Sequence, residues 1–372
     1  MKIQPFELER YFARHEFSAR YLLSSSDCES LSLLELLEVA HEENIELWID
    51  LKLGYTESSG HPVLRQSVAE TYKGISAENV LIVVPEEGIF LFMHALLNPG
   101  DHVVCTFPGY QSLYEIARSI GCDVSYWEPD EEKGWDFDLD LLEGMLRPNT
   151  RLVVVNFPHN PTGFVPSPEK YRKLVDLVSG RGIHLLSDEM YRFLEIDQGS
   201  TLPAGCELYQ YAHSLSGLSK SYGLPGLRIG WIATQDRELL ARIAALKDYT
   251  TICASAPSEI LAIFALANRE SIVSGHRQRI SRNLAILDGF FADYGDFLQW
   301  NKPLGGSIGF PRLLLRKGAT EFCNALVEDT GIMLAPSSVF HYGDSHVRFG
   351  FGRENLPEVI DYFKEYLDQH YS

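Results

Sequence analysis

Positive charge is scarce in this chain, and paired cysteines and long apolar runs are missing. Thirty-two Lys and Arg stand against 51 Asp and Glu, a net charge of −19 over 372 residues. That balance speaks against a nucleic-acid partner, because a phosphate backbone needs a basic footprint. The six cysteines (Cys28, Cys105, Cys122, Cys206, Cys253, Cys323) are scattered, with no C-x-x-C pair. Neither a disulfide framework nor a metal site is expected from such spacing. No eighteen consecutive apolar residues occur, so no segment is expected to span a membrane. Residues 1–10 carry charge early and hold no apolar core of signal-peptide length, and a soluble, cytoplasmic protein with reduced thiols is expected. Internal repeats, low-complexity tracts and flexible linkers are absent too.

What the chain does hold is 45% hydrophobic residues, enough for two α/β lobes. Apolar runs at 80–84, 101–105, 152–155 and 183–188 read as buried strands. Helical spacing over 88–97, 114–120 and 171–179 lies among them, predicting βαβ units and a parallel sheet covered on both faces. Past about residue 255 the pattern changes to helices at 258–266, 277–291 and 356–370, with Gly-rich strand candidates at 305–310, 331–334 and 346–351. A large α/β domain over 45–255 is expected, with 1–44 and 256–372 forming a smaller α+β domain.

Ligands of an open parallel sheet sit beyond the carboxyl ends of its strands, and polar residues fall there. Asp188 closes a strand in Ser187-Asp188-Glu189-Met190-Tyr191, Asn160 opens Asn160-Pro161-Thr162-Gly163, and Tyr110 ends Phe107-Pro108-Gly109-Tyr110. Each also has an ordinary structural use: a turn for Asn-Pro-Thr-Gly, a helix cap for the aspartate, packing for the tyrosine. Lys220 lies among small residues, Ser216-Gly217-Leu218-Ser219-Lys220-Ser221, eight positions before Arg228. That setting suits an amine that must shed its proton and swing beside a cation holding a phosphate. Read alone, the segment equally describes a glycine-rich loop with a solvated lysine.

Five motifs stand in one order: Gly54-Tyr55-Thr56-Glu57-Ser58-Ser59-Gly60, Asn98-Pro99-Gly100-Asp101, Asn160-Pro161-Thr162-Gly163, Ser187-Asp188-Glu189-Met190-Tyr191, and Ser219-Lys220 followed by Gly226-Leu227-Arg228-Ile229-Gly230-Trp231. Together they resemble the class I/II aminotransferases, the aspartate-aminotransferase-like, fold-type I family of pyridoxal-phosphate enzymes. The resemblance runs from about residue 54 to 231, with weaker echoes to Arg348. It implies a mostly parallel seven-stranded sheet between helices, a smaller α+β domain and pyridoxal 5′-phosphate as cofactor. Lys220 would carry the cofactor as a Schiff base and move the substrate proton. Asp188 would pair with the ring nitrogen, Asn160 and Tyr191 with the phenolic oxygen, and Tyr110 would stack on the ring. Arg228, Ser219 and the helix start at Glu87-Gly88 would hold the phosphate. Tyr55 would reach the partner subunit's phosphate in a homodimer, and Arg348 would clasp the substrate α-carboxylate. The implied reaction moves an amino group between an L-amino acid and a 2-oxo acid by a ping-pong course.

Three departures keep alternatives open. Gly217 stands where the family has a serine, three before the lysine. The family's small-residue phosphate cup falls on Val84-Pro85-Glu86-Glu87-Gly88, where a proline removes a donor and carboxylates face the wrong charge. Either both glutamates turn outward while helix amides hold the phosphate, or Glu86 or Glu87 faces the substrate. The family's glycine-containing N-terminal strand is replaced by residues 21–29, preceded by Glu16. Glu16 and Asp27 are either solvated or suited to a cationic substrate group such as that of arginine. Elimination, decarboxylation or oxidation of an amino acid is the alternative reaction. A non-catalytic sensor of this fold is a third reading, without the DNA-binding extension or the charge that role requires.

Overall fold

The computed structural model describes residues 2–371. At its centre lie β1 (Val80–Val83), β2 (His102–Thr106), β3 (Asp123–Trp127), β4 (Thr150–Asn156), β5 (His184–Asp188), β6 (Ala212–Gly217) and β7 (Gly230–Thr234). They form one sheet in the order β1-β7-β6-β5-β4-β2-β3. β7 runs antiparallel to β1 and β6, and every other pairing is parallel. Every residue of β1, β2, β5, β6 and β7 is buried, as expected of a sheet with helices on both faces. β3 is an edge strand with four of its five residues at least partly exposed.

The helices take their bounds from local chemistry. Pro85 starts the helix Pro85–Leu96, since its missing N–H and fixed φ suit a first turn. Pro168–Ser179 opens the same way, with Ser167 Oγ accepting from the Lys170 amide at 3.1 Å. Ser112–Ile120 stops at Gly121, whose φ of 103° is left-handed.

The C-terminal part holds the helices Ala256–Ala267, Arg269–Asp293 and Leu356–Tyr371, and an antiparallel sheet of Ile308–Gly309, Val347–Gly350 and Ala335–Pro336. The strand expected at 331–334 is reduced to a single bridge between Ile332 and Tyr21. The N-terminal segment runs along Val347–Gly350: the Leu23 carbonyl accepts from the Gly350 amide at 2.6 Å, and the Gly352 carbonyl from the Glu29 amide at 3.0 Å. Gly350 must lack a side chain, because a Cβ there would collide with the Ser25 carbonyl. The helix Glu7–His15 buries Leu8 and Tyr11, and the Tyr11 hydroxyl donates to the Leu334 carbonyl at 2.8 Å. Gln111 fastens its start, accepting from the Glu7 amide and donating to the Pro5 carbonyl.

Candidate active site

Beyond the carboxyl ends of β4, β5 and β6 opens a cavity of about 570 Å³, an ordinary size for a small-molecule site. Lys220 enters it three residues past β6, with its amine 2.9 Å from Ser26 Oγ. Burial lowers the pKa of that ammonium; the Arg348 and Arg228 cations add to the effect, and Asp27 and Glu9 oppose it. The neutral, nucleophilic amine is thereby favoured.

Asp188, the last residue of β5, is 5% exposed. Burial pushes its carboxyl from 3.8 up to about 7, although the Met190 amide donates to it at 3.1 Å. Arg348 reaches in from Val347–Gly350 and is 2% exposed. Its Nε and Nη2 donate to the Ser24 carbonyl at 3.1 and 2.9 Å, and its Nη1 to Asn160 Oδ1 at 3.3 Å. The rings of Phe12 and Phe340 lie 5.5 and 5.4 Å from the guanidinium carbon. Asn160 is fixed by its amide on Asn156 Oδ1 at 2.7 Å. Tyr191, 3% exposed, faces the cavity with its hydroxyl beside Ser26. Tyr110 packs on Phe6 and donates to Glu9 Oε1 at 3.0 Å. Ser219 lines the wall, and Arg228 donates to the nearby Pro225 carbonyl at 2.9 Å.

The two glutamates at the helix start part company. Glu87 turns away, accepting from the hydroxyls of Thr250 and Thr251. Gly88 packs on the sheet, where a Cβ would lie 2.8 Å from Val83 Cγ2. Neither residue lines the cavity; Glu87 takes the outward course of the first of the two expected arrangements, in which the free amides of that first helical turn face the phosphate. Glu86 does face inward. Ser112 Oγ donates to it at 3.2 Å, and burial, reinforced by Glu9 and Asp188, pushes its carboxyl up to about 7.

Pro85 and Gly217 turn out to be linked. A Cβ on Gly217 would sit 3.0 Å from Gly230 Cα and 3.2 Å from Pro85 Cγ, and one on Gly230 only 2.7 Å from Pro85 Cγ. The proline ring thus fills space that a side chain at Gly217 would need.

Asp27 and Glu16 both line the cavity. Asp27 is committed to Arg353 at 2.9 Å. Glu16 has its carboxyl raised by burial first, then by Asp27 and Glu9. Tyr55 is 90% exposed and lies outside the Lys220 cavity of its own chain. Glu9, Phe12, Ser24 and Ser26 were not foreseen. Each meets its partner across more than a hundred positions of sequence, and no local pattern marks such contacts.

Sheet order and the burial of Lys220 near Asp188 place the protein among the fold-type I pyridoxal-phosphate enzymes. The model of the aminotransferase class I and II family matches residues 21–363, and the chain belongs to that family. It is 31% identical over 368 residues to capreomycidine synthase of Streptomyces vinaceus, covering 98% of this chain and 94% of that one. A crystal structure of a pyridoxal-phosphate-dependent aminotransferase from Streptococcus suis superposes with a TM-score of 0.93 at 32% identity, over the whole of both chains. The pyridoxal-phosphate-dependent cyclase OrfR superposes with a TM-score of 0.91 at 29% identity, over 99% and 98%.

The residues suit the cofactor. Asp188 is a buried carboxyl that a cationic ring nitrogen would ionise, Tyr191 brings a buried hydroxyl to the cavity wall, and Arg228 spends one N–H on the Pro225 carbonyl and has others to give.

Proposed function

We propose that the protein is an aminotransferase moving an amino group between an L-amino acid and a 2-oxo acid. The observation that carries this reading is the buried Lys220 amine sharing one cavity with Asp188 and Arg348. A guanidinium has five N–H groups. Ser24 and Asn160 take three of those on Arg348, which leaves two for the substrate α-carboxylate. So held, the substrate would present its α-proton to the Lys220 amine, the base placed to take that proton and to give it back. Asp188 would keep the ring nitrogen of the cofactor protonated, and Asn160 and Tyr191 would hold its phenolic oxygen. Pyridoxal phosphate, when bound, supplies the electron sink for the pair left on the α-carbon. The cavity lies where the proposed large domain, 45–255, meets the proposed smaller one, 1–44 with 256–372.

A second reading, another reaction of the same cofactor on an amino acid, rests on Glu86. It adds an acid–base group near neutrality to the cavity, and two similar proteins are named a synthase and a cyclase. Single-turnover absorbance separates the two. Conversion to the aminated cofactor, reversed by a 2-oxo acid, supports transamination; ammonia or peroxide release without it sinks that reading.

A homodimer is part of the proposal, supported by the exposure of Tyr55, Leu53 and Tyr249; a monomeric mass by light scattering would refute it. The six free cysteines fit a reducing, cytoplasmic setting, and among the described residues no helix is long and apolar enough to cross a membrane.

A further inference from the structure

We propose that Glu9 and Glu16 hold a cationic side chain of the amino-acid substrate, as in arginine or lysine. This rests on the reading of the cavity as an amino-acid site.

The charges lining that cavity sort by duty. Lys220, Arg228 and Arg348 serve the cofactor and the α-carboxylate, and Asp188 serves the ring nitrogen. Asp27 is neutralised by Arg353, and Glu86 lies deeper, against Ser112. Glu9 and Glu16 remain, one on the helix Glu7–His15 and the other at its C-terminal cap. Glu9 accepts a hydrogen bond from Tyr110 and pairs with no cation among the described residues. Arg10 reaches the same cavity from the same helix and forms an ion pair with neither. Glu9 lines the cavity with its carboxylate on the Tyr110 hydroxyl, and its charge bears on Lys220, Arg348 and Glu16. The Arg348 guanidinium, 2% exposed and with two N–H groups left over by Ser24 and Asn160, lines the same space and marks the cavity as built for a ligand.

The substrate class follows from sign. A dicarboxylic amino acid would bring its distal carboxylate against Glu9 and Glu16, and like charges at close range are rejected. A neutral side chain would leave both carboxylates unpaired. An ammonium or guanidinium satisfies them with charge-assisted hydrogen bonds.

The test uses cofactor-loaded enzyme and three probes: L-arginine, its neutral isostere L-citrulline, and L-glutamate. Binding is read by cofactor absorbance and by calorimetry. Arginine is expected to bind at least about tenfold more tightly than citrulline, with glutamate weakest. In the Glu9→Gln/Glu16→Gln double variant the arginine-to-citrulline ratio should fall to within about threefold. Raising the salt concentration should weaken arginine selectively, a readout that stands even if the double variant does not fold. Equal binding of arginine and citrulline by the wild type overturns the proposal, as does preference for glutamate or a ratio unchanged in a variant that keeps its cofactor absorbance. If citrulline or glutamate reacts and arginine does not, only the substrate class fails. If no amino acid alters the absorbance, the amino-acid site fails with it.

Discussion

Replacing Asp188 by asparagine should stabilise the cofactor-free protein while weakening its hold on the cofactor. Burial raises the carboxyl from 3.8 to about 7. The sign follows from linkage: a folded value above the unfolded one gives stability that is complete below about pH 4 and lost as pH rises through 7. At about 1.4 kcal/mol for each tenfold change, the ionised carboxylate costs about 4 kcal/mol above neutrality. The neutral amide of the variant would escape that cost but accept a weaker hydrogen bond from the Met190 amide, so a net gain of about 1–3 kcal/mol is expected. Thermal unfolding of the cofactor-free proteins at pH 5.5 and 8.5 measures it. The Asp188→Asn variant should melt a few degrees higher at pH 8.5 and gain much less at pH 5.5. Pyridoxal phosphate should then raise the wild-type melting temperature more than the variant's, because only the wild type offers its ring nitrogen a counter-charge. A variant less stable at both pH values, or equally improved at both, would refute the reasoning. Glu195, also raised to about 7 by burial, shifts both proteins alike, whereas Glu86, raised by burial and in part by Asp188 itself, should titrate somewhat lower in the variant.

Arg348→Lys, which keeps the charge but not the planar fork, should lower kcat/KM by about 10–100-fold; steady-state kinetics showing less than a threefold loss would remove Arg348 from the carboxylate site. Lys220→Ala should abolish the yellow absorbance of the loaded enzyme, and a wild type that never shows the band would refute the cofactor assignment. His184 and His213, bonded Nδ1 to Nε2 at 3.0 Å, are held neutral by burial, His184 down at about 4. That depressed value gives stability that is lost as pH falls from about 6.5 toward 4, so His184→Asn should flatten the acid limb of the melting curve. Gly217→Ser should destabilise by about 1–3 kcal/mol through overpacking, with part of the loss recovered when Pro85→Ala is added in a double-mutant cycle.

The frame of the fold was legible where burial leaves a mark on composition. β1, β2, β4 and β5 are apolar runs, and the sequence places them within two residues of their ends. β3, β6 and β7 were missed. β3 is a partly exposed edge strand, while Ala212-His213-Ser214-Leu215-Ser216-Gly217 spends its polar atoms inward: His213 on His184 and Thr234, Ser214 on Glu189. The cavity gathers Lys220, Asp188, Asn160, Tyr191, Tyr110, Arg228, Ser219 and Arg348; Asp188, Asn160 and Tyr110 were read at strand ends, and the others from the small-residue loop at Lys220 and the family motifs. The N-terminal wall was not legible residue by residue, because a serine carbonyl on an arginine 324 positions away leaves no pattern in the sequence.

The ring of Pro85, seated on Gly217 and Gly230, bears on how such sites can be exchanged between relatives. A glycine or alanine at 85 alone leaves a void between helix and strand, and a serine at 217 alone collides with the ring. Each single step toward the commoner phosphate cup is therefore downhill in stability, and a Cβ at 217 also meets Gly230 Cα and the Ile229 carbonyl at 3.0 Å, so the neighbouring strand must give as well. The three positions behave as one inherited block, and a graft that brings in the usual cup should carry 85, 217 and 230 across together.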